Sequence, residues 1–338
     1  MSGRPRHCVD SPSVTEPEPW TPSERERVVL SPLRYPGGKR RLVPYIEAAL
    51  AANDFKPELL VEPFAGGLSA GLELASAGAV ERIGVVDRDP LVAAFWKVVF
   101  WDCDWLCETV LNCAVDLATW ERLKHRRHRS DRERAFACLF LNRTSFNGAL
   151  NERAGPIGGK TQAGEYKLDC RFPRPRLVDR LKACAALAGQ DKVAFVRQEG
   201  AQEALGWVSR NYDVSTSFLY LDPPFWAKSQ RLYRYSFAAK HHRALASALR
   251  YLRQRWLLSY DPAPEVVQLY APHQVRRARI ELLYGTQRSA GQEIVISNLE
   301  ELPPDSRMWR TNAEWQSLRL GAGSAAAGSD RLAADSGA

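Results

Sequence analysis

The sequence predicts an α/β fold with a doubly wound, mainly parallel sheet. Short apolar and β-branched runs alternate with helical patterns, acidic residues end two of these runs, and glycines follow the first run. Strands that alternate with helices form parallel sheets, and ligands bind such sheets at the carboxyl ends of the strands, where the strand order reverses. The acidic strand ends are therefore candidate binding residues.

The predicted elements follow one another in a regular order. In the first part of the chain, strands at 59–62 and 82–87 precede helices at 68–77 and 90–101. After an interruption, strands are predicted at 193–196, 217–222 and 256–260, a helix at 241–253, and two more strands at 275–284 and 293–298. The last two strands are close enough in sequence to pair as a hairpin.

The composition changes at both ends of the chain and in its middle. Residues 1–28 are rich in Pro, Ser, Glu and Arg, and 303–338 contain a long Gly/Ala/Ser-rich stretch, so we expect a flexible tail at the first end and a largely flexible one at the second. The interval 97–190 is Arg-rich and breaks the strand–helix rhythm. We interpret it as an insertion into a domain formed by 29–96 and 191–302.

The charge balance favours a polyanionic partner. The 338 residues carry a formal net charge of +8 and a pI near 9.2, and 45% of them are hydrophobic, which is enough for a sizeable core. The sequence has neither an apolar run of about 18 residues nor a signal-peptide core. Its seven cysteines form no C-x-x-C pair. We therefore expect a cytoplasmic protein with reduced thiols, no structural metal and no membrane association.

The tetrapeptide Asp222-Pro223-Pro224-Phe225 ends one predicted strand. Two consecutive prolines force an extended backbone that lacks N–H donors, so the turn offers only acceptors. An amino group on a planar base needs an acceptor for each hydrogen, and a carboxylate with a prolyl carbonyl supplies both. Phe225 offers a face on which an extruded base can stack. Alone, the same tetrapeptide also fits an Asp-Pro turn beside a buried Phe.

The first two strands end in candidate cofactor residues. The first runs into Glu62-Pro63-Phe64-Ala65-Gly66-Gly67, where glycine allows the backbone to approach a ligand closely. The second ends in Asp87, a carboxylate suited to the two hydroxyls of a ribose. A helix N-cap before Pro90 is an equally good interpretation of Asp87 by itself. The full G-x-G-x-x-G pattern is missing, which argues against NAD.

A glycine turn precedes all these elements, in Arg34-Tyr35-Pro36-Gly37-Gly38-Lys39. Lys39 on such a turn, with Gly38 before it, suits a carboxylate, and Tyr35 suits a wall of a cofactor site. By itself the segment also fits an ordinary loop.

Together and in this order, the four stretches resemble the adenine-specific DNA methyltransferases of the Dam type, the D12 class. The resemblance extends from about Leu33 to Asn298. It implies a Rossmann-like, seven-stranded S-adenosylmethionine-dependent methyltransferase sheet with an inserted, mainly helical target-recognition domain. It also implies S-adenosylmethionine as methyl donor without a required metal. The implied cofactor-binding residues are Tyr35, Gly38, Lys39, Glu62, Phe64, Gly66, Asp87, Glu199 and Asp222.

The resemblance extends into the insert, where Leu141-Asn142-Arg143-Thr144-Ser145-Phe146-Asn147-Gly148 is similar to a family segment whose aromatic residue enters the duplex. It implies DNA contacts by Arg143, Phe146, Asn147, Asn151 and Tyr235. Leu68 and Glu199 depart from the family pattern, as does Asn151, which stands about where GATC methylases have an arginine. We therefore do not expect GATC specificity.

The resulting hypothesis is a site-specific DNA adenine N6-methyltransferase that acts on a flipped-out adenine in double-stranded DNA, as a monomer or weak dimer on DNA. Two alternatives stay open. One is an N4-cytosine or RNA amino-methyltransferase, because the Asp222 motif suits any exocyclic amine on a flat ring. The other is a catalytically degenerate relative that only binds DNA, which the departures at Leu68 and Glu199 favour.

Overall fold

A computed structural model describes residues 31–34, 39–226, 234–235, 237–284, 289–308 and 315–317. Within these residues the chain forms one nine-stranded mixed sheet with helices on both faces. The tail 1–28 and most of 303–338 lie outside the described residues. None of the described helices combines the length and apolarity needed to cross a membrane.

The order of the strands in the sheet is β3-β2-β1-β4-β5-β7-β6-β8-β9. Their bounds are β1 Leu59–Glu62, β2 Arg82–Asp87, β3 Val193–Gln198, β4 Ser217–Leu221, β5 Arg255–Tyr260, β6 Arg276–Tyr284, β7 Ser289–Ser297, β8 Ser306–Met308 and β9 Trp315–Ser317. The first five strands are parallel, and β7 runs antiparallel to both β5 and β6. The order reverses at β1, which lies between β2 and β4, so the crevice above β1 is the expected ligand site.

The helices connect these strands and cover both faces. Their bounds are α1 Val43–Ala52, α2 Ser69–Ala77, α3 Pro90–Trp101, α4 Cys103–Asn112, α5 Leu117–His125, α6 Asp131–Thr144, α7 Arg174–Gly189, α8 Ala201–Asn211, α9 Ala239–Tyr251 and α10 Pro264–Tyr270. Short 3-10 helices span Lys39–Leu42, Phe146–Gly148 and Leu168–Arg171. Two buried apolar clusters lie on opposite faces, because alternate residues of each strand point to opposite sides. Leu60 belongs to one cluster and Val61 to the other.

The first cluster also contains the helices of the interval 97–190. Leu106 of α4, Phe140 of α6 and Leu177 of α7 are fully buried in the same core as Trp96 of α3. The interval is mainly helical, as predicted, and these four buried side chains show that it packs as a continuation of the α3 face. The sheet and the helical interval therefore share one core.

The predicted α/β fold is confirmed, and the predicted strands lie within a few residues of the observed ones. The predicted number of seven strands is too low, because β8 and β9 extend the sheet beyond β6. Strand β8 pairs with β6 through Ile280 and Ser306. The segment just before β8 is fastened by the Tyr45 hydroxyl, which donates to Pro303 O at 2.8 Å. Three-residue strands show no periodicity in a sequence and form only where an open sheet edge is available.

Candidate active site

A cavity of about 340 Å³ lies at the carboxyl ends of β1, β2, β3 and β4, at the reversal of strand order. Cavities of about 300–1,000 Å³ are typical of small-molecule sites. The lining includes Lys39, Glu62, Phe64, Gly66, Asp87, Asp222 and Pro224 from the predicted site, together with Arg88, Asp89, Gly200, Gln202, Glu203, Arg234, Tyr235, Phe237, His241 and Leu245. All four predicted stretches thus contribute residues to one site.

Glu62 ends β1 and is buried, with 4% of its surface exposed. Its Oε1 accepts a hydrogen bond from Gly71 N in the first turn of α2. This contact replaces a side-chain N-cap, because the N-cap residue of α2 is Leu68. Burial, with a smaller contribution from the charge of Asp222, raises the pKa of Glu62 to about 8 against the opposing effect of the Gly71 hydrogen bond. Glu62 is thus a neutral carboxyl at pH 7 that fixes the strand–helix turn.

Leu68 has a φ of 50°, in the left-handed region that favours glycine. The sequence showed leucine here in place of the family's glycine. The leucine side chain is 1% exposed and packs in the core, which offsets the unfavourable backbone conformation. The departure from the family pattern is therefore accommodated without closing the cavity.

Asp87 ends β2, and two backbone N–H groups orient its carboxylate. Oδ2 accepts from Gly66 N at 2.9 Å, and Oδ1 accepts from Asp89 N at 2.8 Å. Trp96 Nε1 in turn donates to Gly66 O at 2.9 Å, which fixes the glycine turn from below. Burial and the neighbouring Asp89 raise the pKa of Asp87 to about 7. The helix N-cap predicted as an alternative for Asp87 is provided by Asp89, which accepts from Leu91 N.

Asp222 follows β4 directly and exposes 25% of its side chain. Lys39 Nζ lies 2.8 Å from Asp222 Oδ1, and Ser259 Oγ donates to the same oxygen at 3.3 Å. Tyr220 OH lies 3.0 Å from Ser259 Oγ. Because the single hydroxyl hydrogen of Ser259 goes to Asp222, Tyr220 donates to Ser259. Burial raises the pKa of Asp222, and the Lys39 cation opposes this effect.

Lys39 is buried, with 4% of its side chain exposed, and its ammonium contacts two carboxylates. Besides Asp222, it lies 3.2 Å from Glu293 Oε1 on β7, and it is 5.2 Å from the centre of the Phe225 ring. The sequence assigned Lys39 to the cofactor. The structure places its charge against Asp222 and Glu293, and Lys39 also lines the cavity.

Aromatic and basic side chains also line the cavity. Phe64 packs edge to face on Phe237, with ring centres 5.5 Å apart. Tyr235 lies 5.4 Å from the Arg88 guanidinium and 5.9 Å from that of Arg234. Arg234 also pairs with Asp89 at 3.3 Å. This wall is therefore apolar near Phe64 and positively charged near Tyr235, which is 37% exposed.

The end of β3 differs from the prediction. Glu199 forms a bidentate pair with Arg197, at 2.6 and 3.0 Å, and it is not part of the cavity lining. Gln202 and Glu203, in the first turn of α8, line the cavity instead. The first turn of a helix that follows a parallel strand lies at the carboxyl edge of the sheet. The sequence analysis did not name these two residues, although this rule applied to α8 would have identified them.

The predicted DNA segment of the insert separates into buried and exposed residues. Arg143 is 7% exposed and donates to Arg171 O at 2.7 Å and Pro32 O at 3.5 Å, so its guanidinium holds backbone and does not reach the surface. Asn142 donates to Arg34 O at 2.9 Å and to Gly148 O at 2.8 Å. Phe146, three residues after Arg143, is 66% exposed.

The turn after Phe146 explains the Asn-Gly pair. Asn147 and Gly148 have φ values of 55° and 71°, a conformation that these two residue types adopt at low cost. A Cβ on Gly148 would lie 2.3 Å from Arg34 O. Asn151 is buried, and its backbone carbonyl accepts a hydrogen bond from the Lys124 ammonium. The tight turn therefore presents Phe146 and Asn147 to solvent, while Asn151 anchors the loop from behind.

Two predicted site residues, Tyr35 and Gly38, lie outside the described residues. Over the ranges that the structure does describe, no group of three or more His, Cys, Asp or Glu side chains is arranged to hold a metal ion.

A family model described as D12 class N6 adenine-specific DNA methyltransferase matches residues 35–284. The chain belongs to this family. The match spans the glycine turn, the whole cavity, the helical interval and the Asp222 motif, and ends with β6. Membership of the D12 family makes the protein an S-adenosylmethionine-dependent methyltransferase.

Several solved structures are similar at low sequence identity. The rRNA methyltransferase aviRa from Streptomyces viridochromogenes is 16% identical, with 78% of this chain and 85% of that chain covered and a TM-score of 0.36. Precorrin-6y C5,15-methyltransferase from Geobacter metallireducens GS-15 is 7% identical, with coverages of 75% and 85% and a TM-score of 0.30. A predicted O-methyltransferase, Atu636 from Agrobacterium tumefaciens, is 11% identical, with coverages of 79% and 84% and a TM-score of 0.30. No curated protein matches the sequence.

The cavity residues suit the methyl donor of the D12 family. A carboxylate has about four lone-pair sites, and Asp87 uses two of them for Gly66 N and Asp89 N, so it can still accept the two hydroxyls of a ribose. Gly66 has a φ of 45°, which keeps the turn above β1 tight. Phe64 adds an apolar surface beside it. The donor set therefore fits a nucleoside that carries polar and charged substituents.

Proposed function

We propose that the protein is a site-specific DNA adenine N6-methyltransferase that acts on an adenine flipped out of double-stranded DNA. The observation that carries this proposal is the position of Asp222-Pro223-Pro224-Phe225 at the carboxyl end of β4. There it borders the same cavity as Asp87 and Gly66. A base held by the motif and a nucleoside held at Asp87 would thus share one cavity.

The motif residues suit the exocyclic amine of a base. The Asp222 carboxylate and the Pro223 carbonyl accept the two amino hydrogens, and Phe225 supplies a stacking face. Lys39 and Ser259 both contact Asp222 Oδ1, so the carboxylate is held in one orientation and keeps lone pairs for the substrate. When the two acceptors hold both amino hydrogens in the plane of the base, the lone pair of the amino nitrogen points out of that plane. Catalysis is then mainly positioning.

S-adenosylmethionine, when bound, supplies an electrophilic methyl group on a positively charged sulfur. Asp87 would bind its ribose, Phe64 and Gly66 would contact the nucleoside, and Glu62 would lie near the charged end of the cavity. Since Lys39 is engaged by Asp222 and Glu293, we assign the cofactor carboxylate no partner at the Lys39 ammonium.

The helical interval 97–190 is the proposed target-recognition segment. Phe146 is the exposed aromatic on this segment that we expect to enter the duplex beside the flipped base, with Asn147 next to it. Tyr235, between Arg88 and Arg234, would lie over the base on the opposite side. The net charge of +8 favours phosphate contacts, which release counterions and strengthen binding at low salt. The buried Arg143 and Asn151 support the loop and are not assigned to DNA.

The test is methylation of DNA by the purified protein, followed by digestion and mass spectrometry of the nucleosides. We expect N6-methyladenine with the wild type, and loss of more than about a hundredfold in kcat for Asp222→Ala, with the fold retained. Ser259→Ala removes one hydrogen bond to the same carboxylate and serves as the graded control. N4-methylcytosine or methylated RNA in place of N6-methyladenine would overturn the base assignment. A protein that binds DNA without methylating any base would favour the degenerate relative.

A further inference from the structure

Glu293 is a buried carboxylate that the mechanism above leaves without a task. It lies on β7, where it pairs across the sheet with Ile280 of β6, and 2% of its surface is exposed. Its Oε1 is 3.2 Å from Lys39 Nζ, the same ammonium that lies 2.8 Å from Asp222 Oδ1. Burying a carboxylate is costly unless the group has a specific partner.

We propose that Glu293 is a positioning residue for methyl transfer, which holds and partly neutralises the Lys39 ammonium so that Asp222 remains a strong acceptor for the substrate amine. The proposal rests on the proposed function, because it assigns the catalytic acceptor to Asp222. It concerns a residue on the last long hairpin, far in sequence from the motif.

The charge balance of the three side chains supports this role. One ammonium lies between two carboxylates, so the ionised group carries one net negative charge. If Lys39 faced Asp222 alone, the pair would be neutral and the carboxylate oxygens would be poorer acceptors. With Glu293 present, two carboxylates share the positive charge of the Lys39 ammonium. Asp222, whose side chain is 25% exposed, therefore keeps more of its negative charge for the substrate.

Charged and polar side chains from a 3-10 helix and several strands surround Asp222. Groups that interact with it are Lys39 from the first 3-10 helix, Glu62 at the end of β1, Tyr220 on β4, and Ser259 and Tyr260 on β5. Lys39 is the cation among these groups. The position of its ammonium therefore decides how much negative charge Asp222 presents, and Glu293 determines that position from β7.

The decisive experiment compares Glu293→Gln with the wild type in full-length protein. The substrate is unmethylated DNA that contains the site that the wild type methylates. Glutamine keeps the shape of the side chain and removes its charge. We expect kcat to fall about tenfold, the factor that corresponds to a loss of about 1.4 kcal/mol of transition-state stabilisation. The KM for S-adenosylmethionine should stay within about twofold of the wild-type value.

The pH dependence of kcat separates this role from a structural one. Activity requires an ionised Asp222, so kcat falls on the acid side as that carboxylate is protonated. Without the Glu293 charge, the Lys39 ammonium interacts more strongly with Asp222, so the acid limb should move to lower pH while the plateau falls. A variant that is merely misfolded would show less activity without movement of the limb. An unmoved limb, or a plateau equal to that of the wild type, overturns the proposal.

Glu293→Asp provides the rescue. It keeps the charge but shortens the side chain by one methylene, so we expect the acid limb at the wild-type pH and a kcat between those of the wild type and Glu293→Gln. Should Glu293→Gln fail to fold, Glu293→Asp decides alone, and an unchanged kcat overturns the proposal.

Glu281→Gln removes a carboxylate of β6 that pairs with Arg307 outside the site, and it is the matched control. A wild type that methylates no adenine refutes the proposed function, whereas active wild type with unchanged Glu293 variants refutes this inference alone.

Discussion

Replacement of Glu62 by glutamine should make the protein more stable at alkaline pH. In the folded chain, burial raises the pKa of Glu62 from its ordinary value of 4.5 to about 8. A carboxyl whose folded pKa is raised favours folding while it is protonated. Its contribution is complete below the unfolded pKa and is lost as pH rises towards the folded pKa. Glutamine has no such loss, and its amide oxygen can still accept from Gly71 N.

The size of the effect follows from the pKa. Each unit of difference corresponds to about 1.4 kcal/mol, and Glu62 is 4% exposed, so solvent screening is small. Between about pH 5.5 and about pH 8.5, the wild type should lose about 3 kcal/mol of unfolding free energy that Glu62→Gln keeps. The raised pKa of Asp87 acts in the same direction, but Asp87 is present in both proteins and drops out of the comparison.

The assay is urea unfolding of both proteins at the two pH values, without S-adenosylmethionine, followed by circular dichroism. The quantity of interest is the difference in unfolding free energy between variant and wild type. It should be small at the acidic pH and favour the variant at the alkaline pH. A difference that is the same at both pH values would show that Glu62 is ionised in the folded state and would refute the reasoning.

Three further predictions concern Asp87, the turn at Gly148 and the exposed Phe146. Asp87→Asn keeps the shape of the carboxylate and removes its charge, so the calorimetric Kd for S-adenosylmethionine should rise about tenfold; an unchanged Kd would contradict the ribose role. Gly148→Ala places a Cβ against Arg34 O and should lower stability by about 1–3 kcal/mol in thermal denaturation. Gly155→Ala, whose Cβ meets nothing within 4 Å, is its control and should melt at the wild-type temperature. Phe146→Ala should leave the melting temperature unchanged, because the ring is 66% exposed, and should lower kcat/KM for DNA; equal kcat/KM would remove Phe146 from the mechanism.

Much of the sheet could be predicted because its signals are local. The predicted strands at 59–62 and 82–87 have the observed bounds, since each is a buried apolar run that ends in an acidic residue. A parallel strand that is covered on both faces needs a continuous apolar run, and such a run is visible without any knowledge of its neighbours. The same holds for Asp222, because two prolines end a strand wherever it lies in a sheet. Strand β9 carries no signal of this kind in its three residues.

The candidate site was predicted in its location but only partly in its contacts. Strand ends and glycine turns placed Glu62, Gly66, Asp87 and Asp222 at one edge of the sheet, and all four line one cavity. The segment around Phe146 was predicted as a single DNA-binding stretch. In the structure, Arg143 in that stretch is buried against backbone carbonyls of 31–34 and of Arg171. Nothing local distinguishes a buried arginine from an exposed one on the same helix.

By itself, the amino-acid sequence determined the fold class, the edge of the sheet that carries the site and the acceptor turn at Asp222. These depend on hydrophobic periodicity, on proline and on glycine, whose effects act within a few residues. Only the tertiary structure decided that Lys39 lies between Asp222 and Glu293, and that Glu62 fixes the start of α2. Those contacts join residues of different strands and helices, and they form because core packing brings the elements together and because buried charges require partners.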